Sequence, residues 1–241
     1  MLEINSKNNQ KIKDACSLKM KKERLEKGLF LMEGIKNLDL ALKYGKVKHI
    51  FTAIGLPKLK QDIETYKVNQ EVLEKLATSK NPEGVVFVCE MPKAKKESKD
   101  YHKIVYLDQI NDPGNLGTIL RSAVAFNYDA VILSKGSVDL FNEKVLAASK
   151  GAIFMIDAYC DELSNIRNNK VVIASLLDDE AIPLKELPHY DDFTIVLGNE
   201  SHGVSEETIE QADVLTKIEM NDAIDSLNVA VAAGILLNHL K

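Results

Sequence analysis

The sequence predicts an α/β protein in two parts, of which the second contains a parallel sheet covered on both faces. From residue 103 onward, short apolar segments alternate with helical patterns, which is typical of strands buried on both faces of a sheet. Residues 91–100 are polar, charged and contain proline, so they form the best linker candidate. The two sides of this linker also differ in charge.

The net charge of −5 conceals that difference. Residues 1–100 contain 21 Lys and Arg and 14 Asp and Glu, a net charge of +7. Residues 101–241 contain 10 and 22, a net charge of −12. A basic part joined to an acidic part suggests that the basic part meets a polyanion. A lysine-rich solvated surface explains the charge equally well, because lysine also keeps proteins soluble.

In the first part we predict a small α/β domain over residues 1–95, followed by a linker at 96–102. Apolar residues recur at helical spacing in residues 11–28, which predicts one lysine-rich helix. The other expected elements are strands at 30–32, 47–52 and 84–89 and helices at 34–44 and 71–77.

The second domain is predicted over residues 103–241. Its expected strands are 103–107, 130–133, 154–159, 171–174 and 193–197, and its expected helices are 116–126, 142–149 and 226–240. In sheets of this kind, ligands bind beyond the carboxyl ends of the strands. The loops that follow strands are therefore where we expect a site.

Three such loops are rich in glycine and polar residues. The first loop is residues 109–117, the second loop is 198–205, and the third loop is 217–228. Asn115 is placed near a helix N-terminus, where anions are attracted, and Glu200 follows a buried strand, where a carboxylate needs a partner. A purely structural interpretation stays open for each loop, since Ser205 and Ser226 are also suitable helix caps.

Several familiar sites lack support. The glycine fingerprint of dinucleotide binding and the phosphate-binding loop are both missing from the sequence. Three cysteines and five histidines are scattered without metal-ligand spacing, so we predict no metal site. The apolar runs are shorter than the ~20 residues of a membrane span, and the first residues lack the apolar core of a signal peptide. We expect a cytoplasmic protein without membrane association.

In this order, the three loops resemble the three motifs of the SpoU (TrmH-like) RNA ribose methyltransferases. The matching segments are PGNLGTILRSA, VLGNESHGVS and IEMNDAIDSLNVAVAAGILL. Residues 149–154 also resemble a segment of this family, and the resemblance covers about residues 103–241. Residues 21–34 are similar to the start of the L30e-like substrate-binding domain that is often fused to these enzymes, which agrees with the positive charge of the first part.

The resemblance implies a parallel-sheet domain with a deep C-terminal trefoil knot, which is a rare threaded fold. It also implies a homodimer, and S-adenosylmethionine bound in the knot by the second and third loops. The positions that match the family's cofactor site are Ser175, Leu176, Leu197, Gly198, Ile218, Met220 and Leu227.

The implied reaction moves a methyl group from a sulfonium to a ribose 2′-hydroxyl. The protein must align the reacting atoms and stabilise or remove the hydroxyl proton. The catalytic positions implied by the resemblance are Arg121, Asn115, Glu200, Ser226 and Asn228. A guanidinium holds its proton too firmly to be a base, so we interpret Arg121 as stabilising the developing alkoxide and a neighbouring phosphate. Glu200 is then expected to orient Arg121.

The substrate implied is RNA, because only RNA offers a 2′-hydroxyl. Ribosomal RNA is favoured over transfer RNA, because an added L30e-like domain suits a structured RNA. The first part is expected to contact phosphates through Lys19, Lys21, Lys22 and Arg24.

Two alternatives stay open. The chain departs from the family at Ala147, where arginine is frequent, at Glu219, where proline is common, and at Asp222, where glycine is common. These departures favour an RNA-binding protein without turnover, although the catalytic positions are intact. An enzyme acting on a small nucleotide is the other alternative, and it lacks a phosphate-loop motif.

Overall fold

The computed structural model describes residues 2–94, 97–221 and 223–241. Its strands are β1 (Leu2–Ile4), β2 (Leu29–Glu33), β3 (Val47–Thr52), β4 (Glu64–Val68), β5 (Val85–Glu90), β6 (Lys103–Leu107), β7 (Ala130–Leu133), β8 (Asp157–Cys160), β9 (Val171–Ser175), β10 (Ile182–Pro183), β11 (Phe193–Leu197) and β12 (Val214–Lys217). Its α-helices are α1 (Gln10–Ser17), α2 (Lys21–Lys27), α3 (Ile35–Tyr44), α4 (Gln70–Leu76), α5 (Pro113–Ala125), α6 (Glu143–Ser149), α7 (Leu163–Ile166), α8 (Glu206–Ile209) and α9 (Val229–His239).

The chain forms two compact units. Unit 1 contains the residues up to Pro92 together with Phe141–Phe154, and unit 2 contains Lys93–Leu140 and Met155–Lys241. Residues 95, 96 and Asp222 lie outside the described residues. Of the predicted linker at 96–102, the structure therefore describes only residues 97–102.

Unit 1 is built on a five-stranded mixed sheet with the order β1-β4-β3-β5-β2. The β1-β4 and β3-β4 pairs are parallel, whereas β5 runs antiparallel to both β3 and β2. Helices α1 and α4 pack together over a core that includes Ile12, Phe51 and Leu73. In the same unit, Phe141 and Phe154 contact the ring of Phe30, with centroid distances of 5.0 and 5.8 Å.

The prediction of one continuous helix at 11–28 is wrong, because the helix breaks at residues 18–20. The amides of Leu18, Lys19 and Met20 bond three residues back instead of four, which closes the last turn tightly. Arg24 then folds back from α2, and its Nη1 donates to the carbonyl oxygens of Leu18 (3.0 Å) and Lys19 (2.8 Å). Its guanidinium thus satisfies carbonyls that a broken helix leaves without intrahelical partners.

Unit 2 contains a seven-stranded sheet with the order β10-β12-β9-β11-β6-β7-β8, and every pair in it is parallel. All residues of β7 and β11 are buried, which confirms the prediction of a parallel sheet covered on both faces. The expected strand at 154–159 is corrected: Phe154 ends a 3-10 turn, and β8 begins at Asp157.

The path of the last part of unit 2 brings the three loops together. Strand β12 lies beside β9, whereas α9 packs against α5, the helix that follows β6. Because β11 and β9 separate β6 from β12, residues 218–228 have to cross back over the carboxyl ends of these strands. This crossing brings Asn228, at the end of the third loop, into contact with Asn115 of the first loop.

The starts of α5 and α9 are set by side-chain caps. Asp112 caps α5, and its Oδ1 accepts the N–H of Asn115 at 2.8 Å, with Pro113 in the first turn. Helix α9 begins at Val229 and not at Ser226, because Asn228 Oδ1 accepts the N–H of Ala230 at 2.9 Å. The residue that caps α9 is therefore Asn228, and the interpretation of Ser226 as the cap is wrong. No helix within the described ranges has both the length and the apolar character that a membrane crossing requires.

Candidate active site

A cavity of about 470 Å³ opens at the carboxyl ends of β9, β11 and β12 in unit 2. Its volume falls within the ~300–1,000 Å³ that is typical of small-molecule sites. The lining comes from residues 175–177 at the end of β9, residues 197–204 at the end of β11, Ile209 of α8, and parts of the third loop and α9. The cavity is lined by all seven predicted cofactor positions: Ser175, Leu176, Leu197, Gly198, Ile218, Met220 and Leu227.

Gly198 is required by the fold of the second loop. Asn199 and Gly203 exchange two backbone hydrogen bonds of 2.8 and 2.9 Å, so the loop turns back directly over Gly198. A Cβ atom on Gly198 would lie 2.1 Å from the carbonyl carbon of Gly203 and 2.1 Å from the amide nitrogen of Val204. Backbone atoms cannot give way as a flexible side chain can, so this position accepts only glycine.

Two buried polar residues fix the second loop, and the sequence analysis did not single them out. Asn199 Nδ2 donates to the carbonyl of Gln109 at 2.7 Å, which ties the second loop to the first. The Asp108 carboxylate accepts both the N–H (2.8 Å) and the Oγ–H (2.7 Å) of Ser205. Asp108 is the first residue after β6 and Asn199 is the second residue after β11, so a buried polar group close to a strand end was the available signal.

A chain of hydrogen bonds joins all three loops through Asn115. Asn115 Nδ2 donates to Glu200 Oε1 at 2.9 Å, and Asn115 Oδ1 accepts from Asn228 Nδ2 at 3.0 Å. Glu200 also lines the cavity. Because both ends of the Asn115 amide are engaged, its orientation is fixed at the meeting point of the loops. This network, which we call the Asn115 network, consists of Glu200, Asn115 and Asn228.

Arg121 lies apart from this network within the chain. It follows Asn115 by six residues, which places it about 9 Å further along α5 and about 120° around the helix axis. Its side chain is exposed, and it makes no hydrogen bond or ion pair with any residue that the structure describes. The expected pairing of Glu200 with Arg121 is therefore corrected, since Glu200 is paired with Asn115.

Ser226 and Glu219 occupy different surroundings in the third loop. Ser226 is exposed and lines the cavity. Glu219 forms an ion pair with Lys185, with 2.8 Å between Nζ and Oε2. The carboxylate that replaces the family's proline is thus neutralised by a lysine that is not part of the cavity lining.

The backbone of the cavity offers free hydrogen-bond donors. The N–H groups of Ile218, Met220 and Leu227 donate to no acceptor in the described part of the chain. The side chains around them are largely aliphatic. Apolar walls with backbone donors between them suit a flat heterocycle that carries polar atoms on its edge.

Of the four residues of unit 1 that were predicted to contact phosphates, two are exposed and not engaged by any described residue, and the side chains of the other two bond backbone carbonyls. Lys21 and Lys22 are exposed and have no hydrogen bond or ion pair with described residues. Lys19 Nζ donates to the carbonyl oxygens of Lys75 (2.9 Å) and Ala77 (2.7 Å). Arg24 is only 6% exposed and holds the break between α1 and α2. The expectation for Arg24 is therefore corrected, because a buried guanidinium engaged by backbone carbonyls is not presented to a phosphate.

No cluster of three or more His, Cys, Asp or Glu side chains that would suit a metal ion occurs among the described residues.

Comparison with known proteins connects both units to one group of enzymes. Residues 102–238 match the SpoU rRNA Methylase family, and residues 9–86 match the MRM3-like substrate binding domain. The chain is 35% identical to the 23S rRNA (guanosine(2553)-2'-O)-methyltransferase RlmP of Bacillus subtilis (strain 168), with 100% of both chains covered. It is 29% identical to the mitochondrial rRNA methyltransferase 3 of Mus musculus, over 89% of this chain and 67% of the mouse protein.

The structural comparison agrees. The AdoMet-bound rRNA methyltransferase from Sinorhizobium meliloti superposes with a TM-score of 0.87 and 28% identity, over 99% of this chain and 96% of that one. The deep trefoil knot expected from the sequence is implied by this fold. A family match to more than half of the residues and a relative similar over its full length lead to one conclusion: the chain belongs to the SpoU family of rRNA methylases.

Proposed function

We propose that the protein transfers a methyl group from S-adenosylmethionine to a ribose 2′-hydroxyl of ribosomal RNA. The observation that carries this proposal is the cavity at the carboxyl ends of β9, β11 and β12, which adjoins the Asn115 network. The relatives support it, since RlmP is named as a 23S rRNA 2'-O-methyltransferase and the S. meliloti enzyme was solved with AdoMet. A cytoplasmic location stays a prediction.

The cavity fits S-adenosylmethionine. The aliphatic side chains of Leu176, Leu197 and Leu227 would sandwich the adenine, and the free N–H groups of Ile218, Met220 and Leu227 would bond its edge. When bound, the cofactor supplies an electrophilic methyl group on a sulfonium. Glu219 does not oppose this, because its charge is paired with Lys185 outside the lining. Glu219 was one of the departures from the family that favoured an RNA-binding protein without turnover, so this alternative loses part of its support.

The Asn115 network would position the ribose. The in-line reaction needs the 2′-oxygen, the methyl carbon and the sulfur aligned, and an oriented amide is a suitable group to hold a sugar hydroxyl. Glu200 and Asn228 fix that amide from both sides. The exposed Ser226 hydroxyl lines the cavity and would bond the same ribose. Arg121 would stabilise the negative charge that develops on the 2′-oxygen as its proton leaves.

Because Arg121 does not line this chain's cavity, the proposal includes a homodimer. The exposed side of α9 carries Val231 (53% exposed) and Ile235 (40% exposed), one helical turn apart. Helix α9 packs against α5, whose exposed side carries Arg121. A two-fold contact brings identical patches face to face. Such a contact through α5 and α9 would carry the Arg121 of one copy towards the cavity of the other.

Placing a charge on this patch tests the homodimer. We expect a Val231→Asp variant to have the mass of one chain in light scattering, whereas the unmodified protein has the mass of two, because a buried unpaired carboxylate opposes association. Methyl transfer should be lost together with the dimer. Leu25→Asp is the control, since Leu25 of unit 1 is similarly exposed (61%) and lies outside the patch. A single-chain mass for the unmodified protein would rule the dimer out.

A transfer assay tests the proposed function itself. Purified protein and labelled S-adenosylmethionine are incubated with ribosomal RNA transcribed in vitro and, separately, with transcribed tRNA, and the nucleosides are identified by mass spectrometry. We expect a new 2′-O-methyl nucleoside in ribosomal RNA. Product in tRNA alone would overturn the substrate assignment. Absence of product in both, with no S-adenosylmethionine binding by calorimetry, would overturn the enzyme assignment.

A further inference from the structure

Few Lys and Arg side chains of unit 2 are available to contact an RNA phosphate at the carboxyl edge of the sheet. From residue 101 onward, unit 2 contains eight Lys and Arg residues. Five of them are engaged with oxygen atoms of the same unit: Arg167, Lys170, Lys185, Lys217 and Lys241. The side chains of the remaining three, Lys103, Arg121 and Lys135, have no hydrogen bond or ion pair within the described residues.

Lys103 and Lys135 lie at opposite edges of the sheet. Lys103 is the first residue of β6, so it lies at the amino edge, about 13 Å along the strand from the carboxyl edge. Lys135 is two residues beyond the end of β7, the strand beside β6. The turn after β7 is therefore adjacent to the first loop, which follows β6. Lys135 is the described lysine of unit 2 that is both unengaged and located on the site's edge of the sheet.

The turn that carries Lys135 is rigidly attached to the first loop. Ser137 N–H donates to Ser134 O at 3.2 Å, and Gly136 at φ 96° occupies the position of this turn that favours glycine. Gln109 N–H donates to Ser134 Oγ at 2.8 Å, and Val138 N–H donates to Ile110 O at 2.8 Å. The turn is thus held in place by the same segment that leads to Asn115.

The turn also presents backbone donors. The N–H groups of Lys135 and Gly136 donate to no acceptor among the residues described. The turn therefore offers an exposed ammonium and two adjacent N–H groups on one rigid support. Backbone N–H groups and lysine ammonium groups are the usual partners of RNA phosphates.

We propose that Lys135 and the turn 134–137 bind a backbone phosphate of the substrate RNA next to the nucleotide whose ribose enters the site. This inference rests on the proposed RNA methyl transfer. Unit 2 is acidic overall, so an RNA chain that reaches the cavity needs a local cation to offset repulsion. The contact fixes the path of the RNA across β6 and β7 and takes no part in the chemical step.

Kinetics and salt dependence test this with Lys135→Ala and the matched control Lys103→Ala, using ribosomal RNA transcribed in vitro. For Lys135→Ala we expect KM for RNA to rise about ten-fold with kcat and S-adenosylmethionine affinity unchanged, as for the loss of one charge-assisted contact. The slope of log affinity against log salt should fall by about 0.7–0.9. Lys135→Arg should restore most of the affinity, and Lys103→Ala should behave as the unmodified protein.

The outcomes separate the two proposals. If the unmodified protein methylates RNA while Lys135→Ala shows the KM and salt slope of Lys103→Ala, the phosphate site is wrong and the proposed function stands. A lower kcat with unchanged KM would also overturn the phosphate site, because it would place Lys135 in the chemical step. If the unmodified protein methylates no RNA, the proposed function fails, and filter binding of the same transcript then decides on Lys135 separately.

Discussion

A Gly198→Ala variant is expected to bind S-adenosylmethionine roughly 10- to 100-fold more weakly than the unmodified protein. The added methyl group would lie 2.1 Å from two backbone atoms of the second loop, so residues 199–204 must move away. These residues form one wall of the cavity, and their displacement removes contacts that the cofactor needs. Isothermal titration calorimetry measures the change directly.

Gly234→Ala is the matched control for this experiment. Gly234 belongs to the same unit, and a Cβ added there meets no atom within 4 Å. Alanine is also the better helix former, so this variant should be at least as stable as the unmodified protein. Thermal unfolding without cofactor shows whether Gly198→Ala still folds. Normal cofactor affinity in a folded Gly198→Ala variant would contradict the close packing described for the second loop.

An Arg121→Ala variant is expected to lose methyl transfer by a factor of roughly 10²–10³, the usual effect of removing one group that stabilises developing charge. Its thermal unfolding and S-adenosylmethionine affinity should stay unchanged, because Arg121 is exposed and bonds no described residue. Single-turnover kinetics with bound RNA measures the chemical step alone. Arg121→Lys should recover little, since an ammonium cannot offer the planar pair of donors that spans an oxygen and a phosphate.

Lys103→Ala serves as the charge-matched control, since it removes another cation of unit 2 whose side chain pairs with no described residue and which lies at the amino edge of the sheet. Near-normal turnover by Arg121→Lys, with equal RNA binding, would show that Arg121 acts as a simple positive charge. In that case the planar pair of guanidinium donors would not be needed for the chemical step.

The sequence predicted the central strands of unit 2 well because they are fully apolar and end at turn residues. Strands β6, β7 and β11 have the expected bounds. Strand β4, ETYKV, was missed because only two of its residues are buried, and β1 was missed because two of its three residues are exposed. Short strands in which few residues are buried carry too little apolar signal to be found from the sequence.

The location of the site was predictable because it depends on where the parallel strands end. The three loops follow parallel strands whose carboxyl ends meet at one edge, whereas the seven cofactor positions within them came from the resemblance, and all seven line the cavity. Arg24 was assigned wrongly because the sequence gives no indication that the helix breaks at residues 18–20 and needs a donor there. The contact of Asn228 with Asn115 depends on how residues 218–228 cross the sheet, which a local sequence pattern does not contain.

The crossing of residues 218–228 has a consequence for when activity begins. The Asn115 network joins residues 113 positions apart in the chain, and the last wall of the cavity comes from α9. Synthesis proceeds from the N-terminus, so a nascent chain that has emerged only as far as β12 already contains the first two loops but no enclosed cavity. The methyl donor therefore has no binding place until the last crossing is made. Cofactor binding is then a late folding event, and the growth of S-adenosylmethionine binding during refolding should report on the slow, non-local step of assembly.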